Sequence, residues 1–174
     1  MQRLIYVEVE PKIFGQLAVV VFLFVTSFFI WITFENQHRI FTDDFYSEKA
    51  MLSGVMYKVE EETKVTGSDV EYYSFVTSEK KLDRVQMDEE NQFTLTHLKQ
   101  EIHSLAGKES RLVFSFMILL YIMLCWLILR KHSLENALHA LAFVACSYYL
   151  LSIWQTWLEI RQTTENVTYY IAKL

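Results

Sequence analysis

Between Leu112 and Leu158 the chain holds two apolar runs of membrane length, joined by only seven residues, Arg130 to Asn136. Leu112 to Leu129 is 18 residues without a charge, about 27 Å as a helix. Ala137 to Leu158 is 22 residues, about 33 Å, against a hydrocarbon core of roughly 30 Å. So short a connection forces two such helices to run antiparallel as neighbours. Buried helices of a soluble protein are the competing explanation, but apolar character on every face at this length favours lipid.

A third run, Ile13 to Phe34, has Gln16 as its one strongly polar member. It is longer than the core of a signal peptide, and the following Glu35-Asn36-Gln37-His38 lacks a small-residue cleavage pattern, so it reads as an uncleaved anchor. The expected fold is therefore an α-helical integral membrane protein with three transmembrane helices, one anchor plus a helical hairpin, and a small α+β head between helices 1 and 2. In residue numbers this gives an N-terminal tail (1–12), helix 1 (13–34), the head (35–110), helix 2 (112–129), helix 3 (137–158) and a C-terminal tail (159–174).

In the N-terminal tail Ile5, Val7 and Val9 alternate with Tyr6, Glu8 and Glu10 up to Pro11. This is a strand pattern too short for a domain, and a flexible lead-in is preferred to a strand added to a partner's sheet. In the head, Val55, Tyr57 and Val59 alternate after Gly54, Thr66-Gly67-Ser68-Asp69 signals a turn, and Val70, Tyr72, Ser74 and Val76 alternate again. That predicts a hairpin, with a third short strand around Leu82 to Met87. Leu95, Leu98, Ile102 and Leu105 recur at helical spacing, and Gly107 is expected to end that helix. A head of this size has a thin core, so it should lean on the membrane or a partner. The C-terminal tail, with Val167, Tyr169 and Ile171 alternating, reads as a last strand docked on the head or as an extension of the third helix.

Charge narrows the partners. The whole chain carries -5, and residues 35 to 110 hold 9 Lys/Arg against 16 Asp/Glu, which leaves the head at -7. A net acidic head argues against nucleic acid and anionic lipid as its partners. The Lys/Arg rule for orientation, counted raw, favours the head on the cytoplasmic side. Setting aside the long loop, over which the rule weakens, leaves Arg3, Lys12, Arg130 and Lys131 against Arg161 and Lys173, which favours a cytoplasmic N-terminus with the head outside. Trp31, Trp154 and Trp157 fall toward the head-side interface and Trp126 toward the other.

No phosphate-binding loop, dinucleotide fingerprint, nucleophile elbow, zincin helix or CxxC occurs. His97 and His103, six apart, point to different helix faces and make poor paired metal ligands. The acidic groups Glu60-Glu61-Glu62 and Asp88-Glu89-Glu90 lack calcium-loop spacing and read as solvated turns. Cys125 and Cys146 are too offset in an antiparallel hairpin for a disulfide. No Asp, Glu, Lys or Arg lies inside the three spans, which weighs against a pump or carrier. The Asn166-Val167-Thr168 sequon would matter only in a secretory membrane with the tail outside. No catalytic, cofactor-binding or metal site is assigned, and no enzyme is expected.

One constellation stands out. His139, Ala142, Cys146, Tyr149, Ser152 and Thr156 follow steps of three and four and share a small, polar helix face. In lipid such a face packs against other helices. Packing on this chain's own first two helices is the preferred explanation, and a partner helix the next. The expected function is that of a non-enzymatic accessory or binding protein, either a subunit of a membrane complex or a membrane-bound inhibitor of immunity type. Its partners would be other membrane subunits and the bilayer, and a homo-oligomer is compatible. The alternative is an oligomeric channel or transporter component lined by the polar face.

Overall fold

A computed structural model describes residues 11–37, 39–41, 45–63, 69–77, 80–130 and 136–174. The element order is α1 (Pro11–Gln37), β1 (Arg39–Phe41), β2 (Phe45–Lys49), β3 (Met56–Thr63), β4 (Asp69–Val76), β5 (Lys81–Gln86), α2 (Gln92–Arg130) and α3 (Asn136–Lys173). Three helices are long and apolar enough to cross a membrane, and a five-stranded antiparallel sheet lies between the first and second. The N-terminal alternation at residues 5–9 and the turn at 66–68 lie outside the described residues.

The strands form a meander, β1-β2-β3-β4-β5, each pairing with the next. Tyr57 and Val59 of β3 and Tyr73 and Phe75 of β4 alternate onto one buried face, as the period-2 pattern requires. The anticipated hairpin is β3–β4, and the third strand is β5. Two strands go beyond that expectation, β1 and β2. Their pattern is hidden because β2 turns Glu48, not an apolar residue, toward the interior. Glu60, Glu61 and Glu62 are also not a turn: they lie in β3 opposite Tyr72, Glu71 and Val70.

The β2–β3 turn shows why a glycine stands at position 54. Ala50 N–H donates to Val55 O at 2.7 Å and Gly54 N–H to Ala50 O at 3.1 Å, which drives Gly54 to φ 69°. A side chain is costly in that left-handed region.

α2 and α3 are each single helices, 39 and 38 residues, about 58 and 57 Å long. Gly107 does not end a helix as expected, because the residues on both sides are held by packing. Leu95, Leu98, Ile102 and Leu105 are fully buried before it, and Glu109 and Leu112 are buried after it. A lone exposed glycine costs about 1 kcal/mol, too little to break a helix so anchored. The tail is likewise helical rather than a strand. Val167 and Ile171, four apart, join the head's core, whereas Tyr169 is exposed, so the apolar spacing is that of a helix face. The tail thus belongs to the head's core by extending α3.

α2 is the axis. α1 runs antiparallel along one side, with Phe24 and Ser27 against Tyr121, and Phe28 and Trp31 against Phe114. α3 runs antiparallel along another, tied by Asn166 to Glu101 at 3.1 Å and by Lys108 to Thr163 at 2.7 Å. Among the described residues no Cα of α3 comes within 8 Å of α1. Trp31 packs against Phe114 in the α1–α2 seam, while Trp154 and Trp157 are exposed.

Candidate functional site

The six residues of the polar face have a clear location. His139, Ala142, Cys146, Tyr149 and Ser152 are half-buried and Thr156 is buried, while Leu141, Phe143, Val144, Tyr148, Leu151 and Trp154 around them are exposed. Since α2 is the neighbour of α3, the polar face lies in the α2–α3 seam. At its end Trp126 Nε1–H donates to His139 Nδ1 at 3.1 Å. Among the described residues α3 makes no close approach to α1, so of the two helices anticipated as neighbours only α2 adjoins this face. Cys125 and Cys146 are free thiols.

A second polar constellation, in the head, went unnoticed in the sequence. Glu48 of β2 is 1% exposed, yet its carboxylate has donors from four elements. His103 of α2 gives its Nδ1–H at 3.0 and 3.1 Å to the two oxygens. Tyr46 donates at 2.9 Å, Tyr57 of β3 at 3.3 Å and Arg39 Nε of β1 at 3.3 Å. Burial pushes the Glu48 pKa up, but the hydrogen bonds from His103 and Tyr46, with the charges of His103 and Arg39, outweigh it and hold the carboxyl below its ordinary value. Burial first, then the Tyr46 hydrogen bond and the Glu48 charge, push the Tyr57 hydroxyl well above the usual phenol range.

The cluster opens on a groove of about 600 Å³ lined by Tyr46, Tyr57, Thr96, Lys99, Gln100 and His103. A carboxylate that orients an imidazole is one half of a general-base device. The other half, a hydroxyl or thiol nucleophile bonded to His103 Nε2, is absent among the described residues. What the arrangement does achieve is mechanical: one satisfied carboxylate fastens three strands to α2. The available clue was the pair Tyr46 and Glu48, which share a face at i and i+2.

Glu109 makes a second clasp. Fully buried in α2, it accepts the N–H groups of Leu52 at 2.6 Å and Ser53 at 2.9 Å, and so fixes the β2–β3 turn to the helix. His97 faces away from this side, stacked on Tyr170 of α3 at 5.8 Å, so the two histidines point apart as their spacing implies.

His97 belongs to an aromatic ladder at the end of the head farthest from the apolar segments. Phe93 meets the His97 ring edge-on at 4.2 Å, Tyr170 meets Tyr169 at 5.4 Å, and Lys173 Nζ lies 4.4 Å above Tyr169. Phe93 is 70% and Tyr169 55% exposed. Phe93 stands 19 residues before Leu112, about 28 Å along the helix. The i, i+4 pair Phe93 and His97 was the clue in the sequence. The sequon is not open in this fold: Asn166 Nδ2 is engaged by Glu101 and Val167 is buried.

Comparison of the chain with protein-family models, with curated proteins and with solved structures finds no match. What fold and site define is a class: three helices of membrane-crossing length around a central α2, with an antiparallel sheet fastened to the end of that helix.

Proposed function

We propose that this chain is a multi-pass integral membrane protein that acts as a non-enzymatic accessory or binding subunit through its head and helix faces. Within that class it is a subunit of a membrane complex or a membrane-bound inhibitor of immunity type. The observation that carries the reading is the ladder of Phe93, His97, Tyr170 and Tyr169, whose outer members Phe93 and Tyr169 are exposed. It lies too far along α2 for lipid to cover, and clustered aromatic side chains are what protein contacts use as anchors. Because α2 and α3 run unbroken from that ladder into the apolar segments, a partner seated on the head is coupled directly to the helices.

The head is assigned to the extracytoplasmic side, on the strength of the two cations in the seven-residue connection. Cations at the head-side ends pull the other way, so the sign is put to a labelling test below. The alternative, an oligomeric channel or transporter component, has less support, because the hydroxyl-bearing face of α3 is turned into the α2–α3 seam.

A photo-crosslinking side chain at Phe93 or Tyr169, in native membranes, tests the binding reading. Crosslinks to a second kind of chain at these two positions, and none at Arg84 on β5, are the expected result. Equal labelling at all three, or none at any, contradicts it.

A further inference from the structure

The head's net charge of -7 conceals cations that no acid neutralises among the described residues. Elsewhere on the sheet the cations are paired: Lys58 with Glu60 at 2.5 Å, Lys81 with Asp83 at 2.8 Å and Arg84 with Glu62 at 2.5 Å. Glu61, Glu71, Glu89 and Glu90 are exposed in addition. At the end next to the apolar segments the acids Glu35 and Glu159, which follow the apolar runs of α1 and α3, are half-buried. Glu48 and Glu109 are buried and bonded inward, whereas Lys49 and Arg111 are exposed and, among the described residues, ion-paired to nothing. Lys108 meets an uncharged partner, the Thr163 hydroxyl.

These cations lie at one level. Arg111 immediately precedes Leu112, where the apolar run of α2 begins, and Lys108 lies one turn, about 6 Å, further out. Lys49 ends β2 and leads into the turn that Glu109 fixes to α2, three residues from Leu112. The same turn carries Leu52, 60% exposed, whose backbone N–H, with that of Ser53, is held by Glu109. A projecting apolar side chain beside unpaired cations is the pattern of a surface seated in the headgroup layer.

We propose that Lys49, Lys108 and Arg111 form a collar that binds the phosphates of anionic phospholipids in the adjacent leaflet, with Leu52 dipping beside them. This rests on the membrane reading above. Each cation near a membrane surface attracts anionic lipid, and the attraction is screened by salt.

The test uses full-length protein in phosphatidylcholine vesicles with trace spin-labelled phosphatidylglycerol or phosphatidylcholine. The immobilised fraction of each label gives the relative association of the two lipids. The proposal predicts about threefold or greater preference for phosphatidylglycerol in low salt, falling toward parity at about 0.5 M NaCl. Lys49→Gln with Arg111→Gln should abolish the preference, and Lys81→Gln with Arg84→Gln should keep it. Equal association of both lipids with wild-type protein, or a Lys49/Arg111 variant that behaves like wild type, overturns the collar. Since both side chains are exposed, the melting temperature should not move, and the salt titration on wild-type protein tests the collar without any variant. Protein that is stripped from the vesicles by alkaline carbonate overturns the membrane reading and the collar together. Protein retained without lipid preference overturns the collar alone.

Discussion

His103 of α2 donates its Nδ1–H to the buried Glu48 of β2 at 3.0 Å, and the sheet is fastened to the long helix at that point. Removing the charge leaves Arg39, Tyr46, Tyr57 and His103 aimed at a group that no longer matches them. Glu48→Gln should cost about 2 to 4 kcal/mol in thermal or denaturant unfolding of the head. The pH dependence follows from the sign of the shift. The folded pKa of Glu48 is below its ordinary 4.5, so the contribution is complete above that value and is lost as pH falls through the depressed one. Wild-type stability measured from pH 7 to pH 3 should fall more steeply below 4.5 than that of Glu48→Gln. Parallel curves would remove Glu48 from the stability of the head.

Glu109→Ala should free the β2–β3 turn. The buried carboxylate holds two backbone N–H groups, and hydrogen bonds to charged groups contribute about 1.5 to 3 kcal/mol each. Amide exchange at Leu52 and Ser53 should accelerate by at least tenfold while that at Ile102 changes less. Unchanged exchange at the two turn amides would contradict the clasp.

Gly107→Ala should stabilise. The site is exposed, helical, and a Cβ there meets nothing within 4 Å. The gain should be about 0.5 to 1 kcal/mol, read as a raised melting temperature. A loss would show that the helix bends or is crowded at that point.

The same glycine shows where the sequence was readable and where it was not. Apolar length identified the three helices, because a run with no charge for 18 to 22 residues has few other uses. Period-2 alternation identified β3 and β4, and the short strand expected around Leu82 to Met87 is β5. The failures share a cause, which is that long-range packing overrides local signals. Gly107 is bridged by the buried positions around it, β2 is disguised by an inward-facing glutamate with partners on three other elements, and the tail's alternation is outvoted by Val167 and Ile171 of α3, which are buried in the head's core. The small polar face of α3 was legible from its spacing. The Glu48 cluster was not, because Arg39, Tyr57 and His103 reach it from three other elements.

Ala142→Leu and Ser152→Leu place extra volume in the α2–α3 seam. Overfilling a tight contact costs about 1 to 3 kcal/mol, so each should lower the melting temperature in detergent. Leu141→Ile, at an exposed position, should not. Leu variants as stable as wild type would mean that the seam has room, and the close packing inferred from these small residues would be wrong.

The most direct measurement concerns how the chain crosses the bilayer. Single cysteines at Asp83 in β5, Ser133 between α2 and α3, and Lys173 at the end of α3, each in a background lacking Cys125 and Cys146, are labelled with a membrane-impermeant maleimide in sealed vesicles of known orientation. Three crossings with the tail in the head predict that Asp83 and Lys173 label from one side and Ser133 from the other, with the head sites on the extracytoplasmic face. Head sites that label only from the cytoplasmic face would reverse the orientation and keep the crossings. Labelling of all three from the same side would contradict the three-crossing arrangement itself.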